Sequence, residues 1–264
     1  MKKFSLVVFI LTVVAISSNA QSTREQRRDK KEAKRQRINE MVRQAEEGVL
    51  VYEKQSIFGI QLRTNGYGLF YELGRMKTNR KTNIYRIDIA ELKDHKEEKL
   101  FGGSFPFGNP YIYGKINFFY PIHLGFGQQY ILGQKGNKNG VAVSAVYNGG
   151  LALGLLRPYY VDAQNSSNQD VTIKYEDDND LFLSGNVQGA SGLGKGWNEL
   201  KFKPGAFVKV AMRFDYGRFN ESVNGLEIGA SLDYYSSKIP LIVLQKDKRM
   251  FFQAYLAILF GKRK

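Results

Sequence analysis

The chain has 264 residues, with 39 Lys or Arg against 25 Asp or Glu, a formal net charge of +14 and no cysteine. The missing thiols exclude disulfides, thiolate metal sites and lipoprotein processing. No stretch holds eighteen consecutive apolar residues, so no transmembrane helix is expected.

Lys2 and Lys3 precede an apolar run over 4–16, followed by Ser17-Ser18-Asn19-Ala20. This is the order of a secretory signal peptide, with Ser18 and Ala20 at the −3 and −1 positions. The run is shorter than the ~20 apolar residues of a membrane anchor, so residues 1–20 are read as a cleaved leader. Loss of Lys2 and Lys3 lowers the net charge to +12. Export also removes nucleic acid as a partner, leaving anionic lipid headgroups or acidic proteins to meet the basic surface.

Residues 21–49 form a separate, charged extension. Over 22–47 the chain lacks Gly, Pro and aromatics, and nine Lys or Arg are interspersed with six Asp or Glu. These are strong helix formers, too polar to build a core, and Gly48 ends the segment. The expectation is a partly helical periplasmic arm that orders on a partner or on a leaflet surface. Its contact candidates are Arg27, Arg28, Lys31 and Arg35, with Ile38, Met41 and Val42 clustered at helical spacing.

From residue 50 onward the pattern becomes strand, turn, strand. Apolar residues alternate with polar or small ones, the period of a half-buried strand. In 224–235, for example, Leu226, Ile228, Ala230, Leu232 and Tyr234 oppose Glu227, Gly229, Ser231, Asp233 and Tyr235. Eight strands are predicted at 56–64, 67–77, 83–92, 117–133, 140–157, 204–217, 223–236 and 250–261. Several reach the roughly 9–11 residues that a tilted strand needs to cross a bilayer. The connections sort by parity. Those at 77–82, 134–139 and 218–222 are short, whereas 93–116 and 158–204 are long and 237–249 is intermediate; only Thr64-Asn65-Gly66 is tight on that second side. Asn-Gly is a strong hairpin signal. Short turns at one end and long loops at the other match an eight-stranded antiparallel transmembrane β-barrel spanning 50–264, with both termini periplasmic.

The inward face carries Arg63, Arg86, Lys209 and Arg213 against Glu72, Asp88, Asp215, Glu227 and Asp233. Eight strands enclose a space just wide enough for side chains to fill, and an unpaired buried charge costs several kcal/mol. Four cations and five anions there predict an interlocked salt-bridge core without a lumen. Inward Gly125, Gly127, Gly150, Ala152 and Gly154 are expected to make room for larger neighbours. Outward Tyr71, Tyr85, Tyr130, Tyr147, Phe214, Tyr216, Tyr234 and Phe260 predict two aromatic girdles.

Dedicated chemistry finds little support. His95 and His123 are the only histidines and do not stand at ligand spacing. The acidic run 176–180 lacks the alternation and central Gly of a calcium loop. Ser191 has no nucleophile elbow, and the glycines of 188–197 lack the Lys-Ser/Thr of a phosphate loop; this segment reads as a flexible tip with Trp197 folding back onto the rim. No catalytic residue, cofactor or metal is expected.

Several segments resemble small outer-membrane β-barrels of Bacteroidota, loosely OmpA-like. They are Tyr113-Gly114-Lys115-Ile116-Asn117 running to Tyr120, Leu124-Gly125-Phe126-Gly127, and Gly149-Gly150-Leu151-Ala152-Leu153-Gly154 leading to Pro158-Tyr159-Tyr160. Lys203-Pro204-Gly205-Ala206-Phe207 and the terminal strand through Leu259-Phe260-Gly261-Lys262-Arg263 complete the set. One departure is that Phe260 is followed by Gly-Lys-Arg-Lys, where the typical assembly signal ends on an aromatic. The resemblance implies a non-enzymatic barrel contacting outer-membrane lipid. It also implies an accessory or structural role in a secretion, motility or barrel-assembly machine, with envelope proteins bound through 21–47 and the outer loops. The alternatives are a lipid-modifying enzyme or a small channel.

Overall fold

The computed structural model describes residues 28–36, 39, 52–101, 109–136, 139–184, 186–192, 194–217, 221–243 and 245–264. The expected leader, the Gly48 break and the contact candidates Arg27, Ile38, Met41 and Val42 lie outside these residues. Within the charged extension, residues 28–36 are α-helical (α1), and Arg28, Lys31 and Arg35 on it are exposed. Among the described residues no helix is long and apolar enough to cross a membrane.

Thirteen strands follow among the described residues: β1 (Lys54–Arg63), β2 (Gly66–Thr78), β3 (Lys81–Leu92), β4 (Lys99–Phe101), β5 (Pro110–Ile112), β6 (Asn117–Gly133), β7 (Ala142–Pro158), β8 (Tyr160–Gln164), β9 (Asp170–Lys174), β10 (Val187–Ala190), β11 (Lys201–Asp215), β12 (Ser222–Ile239) and β13 (Lys248–Arg263). Eight of them close a ring in the order β1-β13-β12-β11-β7-β6-β3-β2, all antiparallel. The first and last strands seal it, in register from Gln55 opposite Arg263 to Arg63 opposite Tyr255. All eight expected strands are present, with ends displaced by a few residues. β11 starts earlier than expected, at Lys201, because Lys201 and Phe202 pair with Leu156 and Leu155 of a long β7.

Period-two alternation sets the two surfaces. Phe58, Ile60, Leu62, Leu69, Leu73, Ile87, Ile89, Leu124, Leu151, Val208, Val210, Ile228, Phe252 and Ile258 all point outward and are exposed. Their strand neighbours turn inward and are buried or half-buried. The outward face is thus a continuous apolar belt around the ring, whereas a water-facing barrel would be polar there.

The girdle expectation needs correction. Tyr85, Tyr130, Tyr147, Phe214, Tyr216 and Phe260 all lie in the strand halves nearer the termini, and only Tyr234 lies toward the other end. Tyr71 is near mid-strand, its hydroxyl bonded to Ser56 at 2.8 Å. The far girdle is made instead by Tyr67, Tyr120, Tyr234, Phe202 and Trp197, and Trp197 comes from a loop. Strand periodicity cannot place such a residue.

The glycine expectation holds in part. A Cβ on Gly125 would lie 2.8 Å from the Phe207 ring, and one on Gly154 would lie 2.6 Å from Phe119. Gly127 and Gly150 are needed for another reason, since their Cβ atoms would lie 2.1 Å from the Tyr147 and Leu124 carbonyl oxygens of the adjacent strand.

The long connections fold. β8, β9 and β10 form a three-stranded sheet in the order β10-β8-β9, and β4 pairs with β5. A short helix, α2 (Asn179–Leu183), lies beside them. Tyr111, Ile112, Tyr159, Val161, Ala163, Ile173, Phe182 and Val187 give this outer cap its own apolar core. Two loop expectations change accordingly. The acidic run is the start of α2, with Asp178 accepting from Leu181 N at 2.9 Å, and part of the expected flexible tip is strand β10.

Candidate functional site: barrel interior and outer cap

All nine charged residues expected inside the ring are buried there. The centre is a six-member cluster. Arg213 donates to both oxygens of Glu72 at 2.8 Å and to Glu227 at 2.9 and 2.6 Å. Arg86 binds Glu227 at 2.8 Å and Asp88 at 3.3 Å, and its guanidinium lies 3.4 Å from the Phe70 ring centroid. Lys209 reaches Asp88 at 3.0 Å. Three cations thus face three carboxylates, and Tyr255 and Gln61 fill the remaining acceptor positions on Glu227 and Asp88. In so dry a space the pairing is obligatory.

The other three charges are held outside this cluster. Arg63 donates to Gln253, which donates to Asp233, so an amide relays between cation and anion. Asp233 Oδ2 also lies 3.3 Å from His123 Nε2. Asp215 is bound by two cations that the strand pattern did not assign to the interior. Arg263 meets it at 2.5 Å, and Lys135, from the β6–β7 turn, reaches it at 3.5 Å and donates to the Gly217 carbonyl. Burial lowers the Lys135 pKa, and Asp215 opposes that shift. A carboxylate expected at the inner mouth without a nearby cation was the signal for them.

Toward the capped end the filling becomes apolar. Phe119, Tyr235 and Phe251 contact one another with ring centroids 5.2–6.0 Å apart. They belong to a cluster with Leu92, Phe207, Ile239, Leu241 and Ile242. Above it Lys115 is buried and paired with Glu97 at 2.8 Å. Burial lowers the Lys115 pKa and Glu97 raises it. Among the described residues, buried side chains thus run from the charged cluster to this aromatic layer.

The cap is pinned to the outer wall of the barrel. Trp197 stacks on Tyr120 at 5.8 Å, and the Arg157 guanidinium lies 4.7 Å from Trp197 and 4.3 Å from Phe118. Glu199 ties this turn to the cap sheet, accepting from Lys174 and Tyr160 at 2.5 Å each. The Lys174 ammonium first, then the Tyr160 hydroxyl, hold the Glu199 carboxyl below its ordinary range. Two adjoining clefts of about 400 and 260 Å³ share Tyr160 and Lys195 here.

Among the described residues, Ser191 and His123 are not brought together. Ser191 donates to Asp162 in the cap at 2.6 Å, while His123 lies inside the barrel. Among the described residues no three His, Asp or Glu side chains converge on a metal position.

No protein-family model and no curated protein matches the chain. Solved structures with a similar course include three outer-membrane proteins. Neisserial surface protein A is 9% identical (TM-score 0.37), with 80% of this chain and 96% of that one covered. The attachment invasion locus protein Ail of Yersinia pestis, in complex with the heparin analogue sucrose octasulfate, is 10% identical (TM-score 0.37), covering 80% and 99%. The N-terminal β-barrel domain of Pseudomonas aeruginosa OprF is 13% identical (TM-score 0.32), covering 80% and 98%. These likenesses are to the run of the chain and carry no role over to it.

Proposed function

We propose that this chain is a non-enzymatic, non-conducting β-barrel of a Gram-negative outer membrane, serving as an accessory or structural subunit of an envelope assembly. One observation carries the reading: the exposed apolar belt runs around the whole ring while the interior is closed by paired charges and an aromatic layer. A belt of this kind is stable against hydrocarbon and a liability in water. The start of β1 and the end of β13 lie at the short-turn end, so the extension and the C-terminus are assigned to the periplasm. The folded cap is assigned to the cell exterior, as an aromatic-rich platform on a rigid scaffold.

Four measurements test it. The mature chain should resist carbonate extraction from envelopes and come out only with detergent; release by carbonate refutes the membrane reading. Planar bilayers should show no stable conductance steps, and regular steps would favour a small channel. Deleting residues 22–47 should abolish co-purification of partner proteins while leaving a heat-modifiable barrel. Partners that persist refute the docking arm. A changed lipid A acyl pattern in a strain lacking the protein would favour the enzyme alternative.

A further inference from the structure

Among the described residues, the outward-facing rim beside the start of β1 and the end of β13 is basic along one flank. The outward registers that carry Phe58 on β1, Leu73 on β2, Tyr85 on β3 and Phe260 on β13 continue to Lys54, Arg75, Lys81 and Lys262. Lys77 follows Arg75, and all five are exposed. These four strands are neighbours in the ring, with Lys54 opposite Arg75 and Ser56 opposite Lys262. The cations therefore form one continuous arc just below the apolar belt. Across the barrel, the corresponding ends of β6, β7 and β11 present Leu132, Val141 and Tyr216, also exposed. Among the described residues no carboxylate lies within ion-pair distance of the five cations, whereas the cations inside the ring are held by carboxylates or by amide side chains.

We propose that Lys54, Arg75, Lys77, Lys81 and Lys262 form a half-collar that binds the phosphates of acidic phospholipids in the leaflet beside the termini. The inference rests on the membrane reading above. Direction decides between lipid and protein. These side chains leave the barrel wall radially, at the level where headgroups meet the belt, and long basic side chains there extend from apolar surface to phosphate. A soluble acidic partner would be met by cations pointing along the barrel axis. Attraction of a basic side chain to an anionic surface amounts to about fivefold per cation, so an arc of five selects acidic lipid on that flank.

The test uses the full chain refolded into phosphatidylcholine vesicles doped with phosphatidylglycerol. Spin-labelled lipids read the preference of the first lipid shell for phosphatidylglycerol over phosphatidylcholine. The native chain should show a severalfold preference that declines with salt. Replacing the five arc residues by Gln should bring the ratio close to one. A control replacing Lys96, Lys99, Lys195, Lys201 and Lys246 of the cap and outer loops by Gln removes the same charge and should keep the native preference. The charged extension is present in all three chains and cancels. No preference in the native chain, an arc variant that keeps it, or equal loss in the control each overturns the half-collar. Failure of the membrane reading is seen separately, as a native chain that does not float with pure phosphatidylcholine vesicles.

Discussion

Arg213 is the side chain on which the interior depends most, and Arg213→Met measures how dry that interior is. Methionine fills most of the same space without charge. The substitution deletes four charge-assisted contacts to Glu72 and Glu227 and a 3.2 Å bond to Gln129. Glu227 keeps Arg86 at 2.8 Å and Tyr255 at 2.9 Å, but Glu72 is left with only Arg86 at 3.6 Å. The cluster changes from three cations against three anions to two against three, with the stranded carboxylate fully buried. Breaking a buried pair in this way costs about 3–5 kcal/mol. Adding Glu72→Gln restores the balance and should recover about 2 kcal/mol, a coupling expected of groups in direct contact. Urea unfolding of the refolded protein in vesicles, followed by far-ultraviolet circular dichroism, supplies the numbers. A cost below about 1 kcal/mol for Arg213→Met, or additive effects in the double variant, would mean that water solvates these charges. The closed-interior argument would then fail.

Other outcomes follow from the packing. Gly154→Ala places a methyl against Phe119 and Tyr235 and should cost about 1–3 kcal/mol through overpacking. Gly194→Ala meets nothing within 4 Å, and the same urea series should place it within about 0.5 kcal/mol of the native chain. Trp197→Ala removes the stack on Tyr120 and Arg157, worth about 1–2 kcal/mol; amide exchange should quicken across 187–200 while β1 and β13 keep their protection. The depressed Glu199 pKa means that its contacts stabilise the cap above the ordinary carboxylate pKa of about 4.3 and are lost as pH falls through the lower folded value. Trp197 fluorescence should therefore stay level from neutral pH down to about pH 4 and change only below it.

The barrel was readable because one rule, alternation, governs every wall residue. The same parity that put Leu226 and Ile228 outside put Glu227 inside, so the central cluster could be named from sequence. Lys135 escaped because a turn obeys no period and a lysine there looks like any solvated one; Arg263 escaped because the last strand was expected to end at 261, whereas its alternation runs on to 263. Charge balance alone assigns no partners, and the placement of Arg63 and Asp233 leaves Gln253 between them. In the cap, β8 and β10 are five and four residues long, too short for periodicity to show, and their apolar side chains pack on one another from distant parts of the sequence, as with Ala163 and Val187.

Because β1 is sewn to β13, each strand of the ring spends its backbone donors and acceptors on two companions. A visiting peptide therefore finds no main-chain ladder to extend on the wall and can grip it only through side chains. The small cap sheet differs, since β9 and β10 each have one free flank among the described residues. If another chain ever adds a strand to this protein, open edges of this kind, with those of β4 and β5, are where it would lie, and not the ring.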